Sequence, residues 1–497
     1  MKAIFFFLLT CCLSILRVSS QNPFIVHDIY SGPNDSYPQE LTVFNNKLYF
    51  SATDGIHGME LYEYDGNQPP ILYNLSNVNY GSFPSSFCVF NNKMYFSARD
   101  QLHGYELWSF DGINPPIMEY DIRQGYLSSG AKPLICFNNK LYLTCTDDYP
   151  HGAELWSFDG INPPELVYDI NPGPGYSVID YAVISNNKLY FKANNGVNGA
   201  QLWEYDGINN PQAVSNISSL NPRYLCAYNN NIYFCGSGEE GDELWVYDQS
   251  GQVSLLADIY PGASTFYDPT SGNYYTIPNS SSPRYFKVYN NKLYFAATDS
   301  ISGNELWVYD GINDPTLVYD LFTGPEGSNP AYLAVYNDKL YFSAIVGTTY
   351  HYNLCAYDGI SNPIIAGDTN NNAYYPFYLK QFNNKLYFSA DDYSLFGREL
   401  WAYDDLSTSI SSTSISQEFM IFPNPTSGLI EITLPMFDKE NNEIEIYNLY
   451  GQAIANLTLR NTSLSKIEIN LSDNSAGIYF VCIRGENRFK VIKIIKN

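Results

Sequence analysis

Three histidines recur in one register beside carboxylates. His57, His103 and His151 are each followed by glycine, in loops such as "TDGIHG" that also carry Asp54 and Asp100. An imidazole next to a carboxylate can serve as a general base, and several such groups together can ligate a metal. Chemistry needs one constellation, so a histidine repeated by register reads as loop packing or capping; the functional alternative is a ring of weak sites. A second set, Asp28, Asp121, Asp169, Asp258 and Asp320, recurs just before Gly/Pro-rich loops. Aspartates there accept hydrogen bonds from loop amides. Calcium, a hard cation that takes carboxylate oxygens, is the alternative. Asp54, Asp100, Asp28, Asp121 and Asp169 are therefore the weak metal candidates. No catalytic residue and no cofactor are expected, because the sequence holds no GxSxG, HExxH, Walker loop, GxGxxG in context or EF-hand spacing. Paired carboxylates for glycoside hydrolysis stay open, since their separation is not readable from sequence.

Two tyrosine-rich stretches offer ligand contacts. One, within 264–286, contains Tyr267, Tyr274 and Tyr275; the other, at 370–379, contains Tyr374 and Tyr375. Exposed aromatics among Asn and Ser suit carbohydrate or protein partners.

These residues sit on a repeat. Trp108, Trp156, Trp203, Trp245, Trp307 and Trp401 share one slot in phrases such as "ELWSFDG", with Tyr62 and Cys355 filling it in two other units. The phrase "NNKLYF" or a close variant starts at Asn45, Asn91, Asn138, Asn186, Asn229, Asn290, Asn337 and Asn383, giving spacings of 46, 47, 48, 43, 61, 47 and 46. Eight units near that length, each holding several short strands apolar on both faces, predict an all-β, eight-bladed propeller of four-stranded blades. The tryptophans fall on each third strand, away from the axis, and read as structural wedges between blades. "FIVHDI" (24–29) is an outer strand without its inner three, and the eighth unit lacks an outer strand, so 24–29 is expected to close the ring. The Asn-Asn and Asp-Gly turns then share one face, and the longer loops share the other, which is the better binding candidate.

Composition sets further bounds. The 497 residues are 45% hydrophobic and 16% aromatic, with 46 Tyr, which suits sheet interfaces. A net charge of -25 makes nucleic acid and anionic membranes poor partners, and no nucleic-acid partner is expected. Residues 1–20, with Lys2 before an apolar run and Val18-Ser19-Ser20 before Gln21, read as a secretory signal peptide. No other segment has the length of a membrane span. Seven cysteines remain: Cys88, Cys136, Cys145, Cys226, Cys235, Cys355 and Cys482. The nearby pairs Cys136/Cys145 and Cys226/Cys235 do not face each other across a two-residue turn, so buried thiols are expected. Residues 21–405 form the propeller, 406–417 a Ser/Thr-rich linker, and 418–497 a separate unit of short strands reading as a small Ig-like β-sandwich.

The Glu-Leu-Trp and Asp-Gly runs, such as Glu106-Leu107-Trp108 with Asp111-Gly112, resemble the bacterial ELWxxDG repeats, described as hyalin-like. That resemblance implies architecture and no single chemistry. The tail closely resembles the C-terminal sorting domain (Por secretion tail) of the type IX secretion system of Bacteroidetes. The matching residues are Pro423, Asn424, Pro425 and Gly428, then "IEIYNLYGQ" with Gly451, then Gly477 and Tyr479, and the basic ending with Lys493 and Lys496. The resemblance implies the type IX machinery as a partner and a secreted or cell-surface location. A binding or adhesion role for glycan or protein is the expectation; an extracellular polysaccharide hydrolase or lyase is the alternative.

Overall fold

The computed structural model describes residues 22–76, 80–147, 150–214, 217–347, 350–367, 373–393 and 395–405, and in the tail 420–422, 426–433, 442–448, 453–459, 466–484 and 489–496. The signal-peptide reading (1–20) and the linker (406–417) lie outside these. The chain divides into two units, 1–405 and 406–497.

Among the described residues of the first unit, eight four-stranded antiparallel sheets follow one another. Their innermost strands are Gln39–Phe44, Ser85–Phe90, Lys132–Phe137, Asp180–Ser185, Arg223–Tyr228, Arg284–Tyr289, Ala331–Tyr336 and Tyr374–Phe382. Each innermost strand touches the next, and the eighth touches the first, so the sheets form a closed ring, the arrangement of a β-propeller. Phe24–His27 pairs antiparallel with Arg398–Tyr403 and supplies the outer strand of the eighth sheet.

Each sheet begins with a two-residue hairpin at the Asn-Asn pair. Asn45 and Asn46 both take positive φ, 44° and 55°, and the other seven turns repeat this, six of them Asn-Asn and the seventh sheet's Asn337-Asp338. Such turns match the twist of paired strands, and asparagine tolerates the left-handed region better than most residues. The side chain of Asn45 donates to the Asp111 carbonyl of the following sheet at 3.3 Å, and Asn383 of the eighth sheet reaches the Asp65 carbonyl of the first at 3.5 Å. Gly112 shows why these Asp-Gly turns need glycine. Its φ is +83°, and a Cβ there would lie 2.8 Å from the Asn45 amide nitrogen.

The core lies between sheets. One cluster joins Leu41, Leu48, Phe50 and Tyr62 of the first sheet to Phe382, Tyr387, Leu400 and Ala402 of the eighth. Five of the six tryptophans are only 6–8% exposed, and Trp307 is half-buried. Each packs on the strand beside it, as in Phe191↔Trp203 and Phe295↔Trp307. The cysteine registers are Cys136↔Leu141 and Cys226↔Tyr233, so neither nearby pair is cross-strand.

In the second unit a three-stranded sheet (Met420–Phe422, Leu429–Thr433, Lys466–Asn470) and a four-stranded one (Asn442–Asn448, Ala453–Leu459, Gly477–Arg484, Phe489–Lys496) share a core of Ile430, Ile444, Ile446, Ile469, Tyr479, Val481 and Ile494. That is a small β-sandwich.

Candidate functional site

The loop face is held by a buried carboxylate that recurs two residues before the tryptophan slot. Glu60, Glu106, Glu154, Glu243, Glu305 and Glu399 are all 0% exposed. Each binds the loop leading to the next sheet. Glu106 accepts hydrogen bonds from the Ile122 and Ser129 amides at 2.9 and 2.8 Å and from the Ser129 hydroxyl at 2.7 Å. Glu399 accepts from the Ile29 and Tyr30 amides and from the Ser36 hydroxyl at 2.6 Å, which ties the closing strand to the eighth sheet. Burial pushes Glu154, Glu305 and Glu399 up to about 7, against the hydrogen bonds that favour their charged forms. This slot was readable as Glu within "ELW", and its serine partners Ser36, Ser82, Ser129, Ser281 and Ser328 each stand nine residues before the hairpin turn of their sheet, a register visible in the sequence within otherwise variable loops.

The histidine and aspartate slots hold the loops. Asp54 accepts from the Ile56 and His57 amides at 2.8 and 2.9 Å, and its other oxygen lies 2.6 Å from His57 Nδ1. Asp100 does the same for Leu102 and His103. The Asp100 hydrogen bond also raises the His103 pKa. His151 sits 2.9 Å from Asp147. Asp28, Asp121 and Asp169 accept from the amides of Gly32, Gly125 and Gly173, respectively. Among the described residues no three His, Cys, Asp or Glu side chains converge to hold a metal.

The candidate site is the mouth of the central channel. Five residues before each Asn-Asn pair, the innermost strand carries a residue at positive φ: Glu40, Ser86, Tyr181, Tyr224, Tyr285, Tyr332 and Tyr378, with Pro133 in the third sheet's slot. The ladder shifts register there, as between Arg223 and Cys226. A bulge of this kind re-aims its side chain. The five tyrosines follow one another around the ring. Centroid separations are 5.2 Å for Tyr181–Tyr224, 6.1 Å for Tyr224–Tyr285, 5.5 Å for Tyr285–Tyr332 and 5.3 Å for Tyr332–Tyr378. Innermost strands start at the loop face, so the arc lies at that end of the channel. Burial lifts Tyr332 to about 12 and raises Tyr181, Tyr285 and Tyr378, so these phenols stay protonated donors.

The remaining wall mixes charged and apolar groups. A cavity of about 460 Å³ runs along it, lined in part by Glu40, Ser86, Lys132, Asp180, Tyr378 and Lys380. Glu40 accepts from the Ser86 amide. Lys132 pairs with Asp180 at 3.2 Å, and Asp180 also accepts from the Tyr181 amide.

The tyrosines singled out from sequence fall in two separate places. Tyr267, Tyr274 and Tyr275 lie on an exposed hairpin, Ala263–Asp268 and Asn273–Pro278, where Tyr267 pairs with Tyr274 across the strands at 5.1 Å. Residues 373–379 are not the exposed stretch their composition suggested. Tyr374 and Tyr375 open the innermost strand of the eighth sheet and are half-buried. Tyr374 packs on His351 at 5.0 Å, and Tyr375 on Tyr352 at 5.2 Å. Phe377 then leads into the channel arc through Tyr332, 5.0 Å away. Aromatic neighbours from the seventh sheet cover what the sequence presented as exposed.

In the tail, Tyr479 donates to the Ser475 carbonyl, Lys496 donates to the Asn474 carbonyl, and the Gly428 amide donates to the Thr426 hydroxyl. Lys493 lies in the last strand opposite Phe480. Pro423, Asn424, Pro425 and Gly451 lie outside the described residues. Residues 420–497 match the secretion-system C-terminal sorting domain. This sorting domain implies export by type IX secretion to the cell surface or extracellular space. No helix among the described residues is long and apolar enough to cross a membrane.

A search of curated proteins returned no match to this sequence. Among solved structures, a puromycin-hydrolysing peptidase of Mycobacterium tuberculosis is 10% identical with a TM-score of 0.44, covering 75% of this chain and 61% of its own. Prolyl oligopeptidase B from Galerina marginata is 9% identical with a TM-score of 0.45, covering 75% and 56%. The dihydro-heme d1 dehydrogenase NirN is 11% identical with a TM-score of 0.43, covering 92% and 81%. The chain thus spans less than two thirds of the length of the two peptidases.

Proposed function

We propose that this chain is an exported binding protein whose channel mouth takes a carbohydrate. The observation that supports this reading is the unbroken arc of five tyrosines, Tyr181 to Tyr378, beside a charged wall. Sugar rings present apolar faces that lie on aromatic rings, while phenol hydroxyls and charged groups meet the sugar hydroxyls. Binding is favoured over hydrolysis because the acidic groups of this wall, Glu40 and Asp180, are already engaged with Ser86, Lys132 and Tyr181. A glycosidase needs two carboxyl groups free to face the scissile bond. Adhesion at the cell surface follows naturally from such a module carrying the sorting domain.

A glycan array probed with the full chain tests the reading. Tyr285→Ala and Tyr332→Ala are each expected to weaken a hit by about tenfold, or ~1.4 kcal/mol. Tyr332→Phe should retain most of the binding. Tyr267→Ser with Tyr274→Ser on the exposed hairpin should leave it unchanged. Loss in the hairpin variant with retention in the channel variants would overturn the channel reading.

A further inference from the structure

The innermost strands carry the opposite charge balance from the rest of the chain. They contain five basic residues, Lys132, Arg223, Arg284, Lys287 and Lys380, against two acidic ones, Glu40 and Asp180. The whole chain has 26 Lys+Arg against 51 Asp+Glu. Lys132 is paired with Asp180, and Arg223 with Asp242 at 2.6 Å. Lys287 and Lys380 have no ion-pair partner among the described residues, although both are half-buried. Arg284 makes a long contact with Asn304, at 3.5 Å, and lies over the Tyr285 ring, 6.0 Å from its centroid; it has no ion-pair partner among the described residues, and its Nε has no hydrogen-bond partner among the described groups. Half-buried cations without counter-charges are costly unless something supplies the missing negative charge. Burial and the neighbouring Lys287 push the Lys380 pKa down, as expected where positive charges crowd. A positive channel within a negative protein also focuses the field on its own mouth.

We propose that the channel ligand is an anionic carbohydrate, bearing carboxylate or sulfate groups, with Lys287, Lys380 and Arg284 meeting the charges and the tyrosine arc meeting the sugar rings. This rests on the carbohydrate reading above and narrows it. It also reverses the expectation drawn from net charge, which averages over an uneven distribution.

Matched polymers separate the outcomes. Dextran sulfate is compared with dextran, and polygalacturonate with its methyl ester, by titration of the full chain at low salt. The charged member of at least one pair should bind and its uncharged counterpart should not. Lys287→Gln with Lys380→Gln should weaken that binding roughly tenfold or more. General polyanion stickiness is disfavoured by the chain's net charge of -25. Equal affinity within both pairs, lost in Tyr332→Ala, would overturn the anion assignment and leave the channel reading standing. Binding unaffected by either the lysine or the tyrosine variants would overturn both. No binding to any of the four polymers would overturn the anion assignment.

Independently, we infer that Cys88 and Cys136 form a disulfide in the exported protein. They lie on the innermost strands of the second and third sheets, with sulfurs 3.5 Å apart, and both are partly accessible. Cys145, on the strand next to Cys136, is buried, as are Cys235 and Cys355 in the fifth and seventh sheets. In an oxidising compartment a protein disulfide of the oxidoreductase class accepts the two electrons. Two S–H bonds break, one S–S bond forms, the donor disulfide becomes a dithiol, and the thiol protons pass to it. The bond would staple two sheets at the channel wall. Peptide mapping of the secreted protein, alkylated without reduction, should show Cys88 cross-linked to Cys136. Full alkylation of both, persisting after incubation with oxidised glutathione, would overturn the inference.

Discussion

Trp203→Ala is expected to destabilise the propeller by about 3–5 kcal/mol, the range for deleting a large buried aromatic. The side chain is 6% exposed and packs among Phe137, Tyr142 and Leu155 of the third sheet, Phe191 of its own, and Ile179 of the loop joining the two. Alanine leaves a void between sheets whose separation is fixed by the whole ring, so local collapse cannot close it. The indole Nε1 has no acceptor among the described groups. Trp203→Phe therefore sacrifices volume but no hydrogen bond, and should cost clearly less. Tyr62, stacked on Phe50 at 5.8 Å, fills the equivalent slot in the first sheet. All six tryptophans lie in the propeller, so intrinsic fluorescence follows its unfolding in denaturant apart from that of the tail. An alanine cost below about 1 kcal/mol would show the slot to be peripheral to the core.

The propeller should be more stable at pH 5 than at pH 8. Glu154, Glu305 and Glu399 have pKa values of about 7 in the folded protein. The unfolded values are near 4.3. Between these limits the folded state holds more protons than the unfolded state, so stability falls as pH rises. The contribution is complete below about pH 4 and gone above about pH 7, up to about 3 kcal/mol per carboxyl. Turn aspartates such as Asp111 and Asp159, whose pKa values are lowered by loop hydrogen bonds, act in the other direction, with stability lost as pH falls through their own values. A maximum between about pH 4 and 6 results. Calorimetry should find a higher Tm at pH 5 than at pH 8, and a smaller difference in Glu305→Gln, which cannot ionise. A Tm that climbs steadily from pH 5 to pH 8 would contradict the buried-glutamate picture.

Much of the fold was legible because its signals are local and repeated. The tryptophan slot and the Asn-Asn turns mark each sheet, and the unpaired outer strand at 24–29 marks the closure. The site was less legible. Tyr181, Tyr224, Tyr285, Tyr332 and Tyr378 all stand five residues before an Asn-Asn pair, a register visible in the sequence. Nothing local shows, however, that a bulge turns this slot toward its neighbours around the axis. Tyr374 and Tyr375 looked exposed because their partners, His351 and Tyr352, belong to another sheet. The approach of Cys88 to Cys136 likewise depends on the stagger between sheets, which no single repeat encodes. Net charge concealed the basic innermost strands because the acidic residues lie elsewhere.

The inner, channel-facing edges of the innermost strands have no strand partner, so their amides report directly on what fills the channel. Hydrogen exchange of the full chain, with and without an oligogalacturonate, reads them out. Slowed exchange in 180–185, 223–228, 284–289 and 331–336, with the 263–278 hairpin unchanged, is the expected result. Protection confined to the hairpin, or absent from the innermost strands at saturating ligand, would contradict a binding site in the channel.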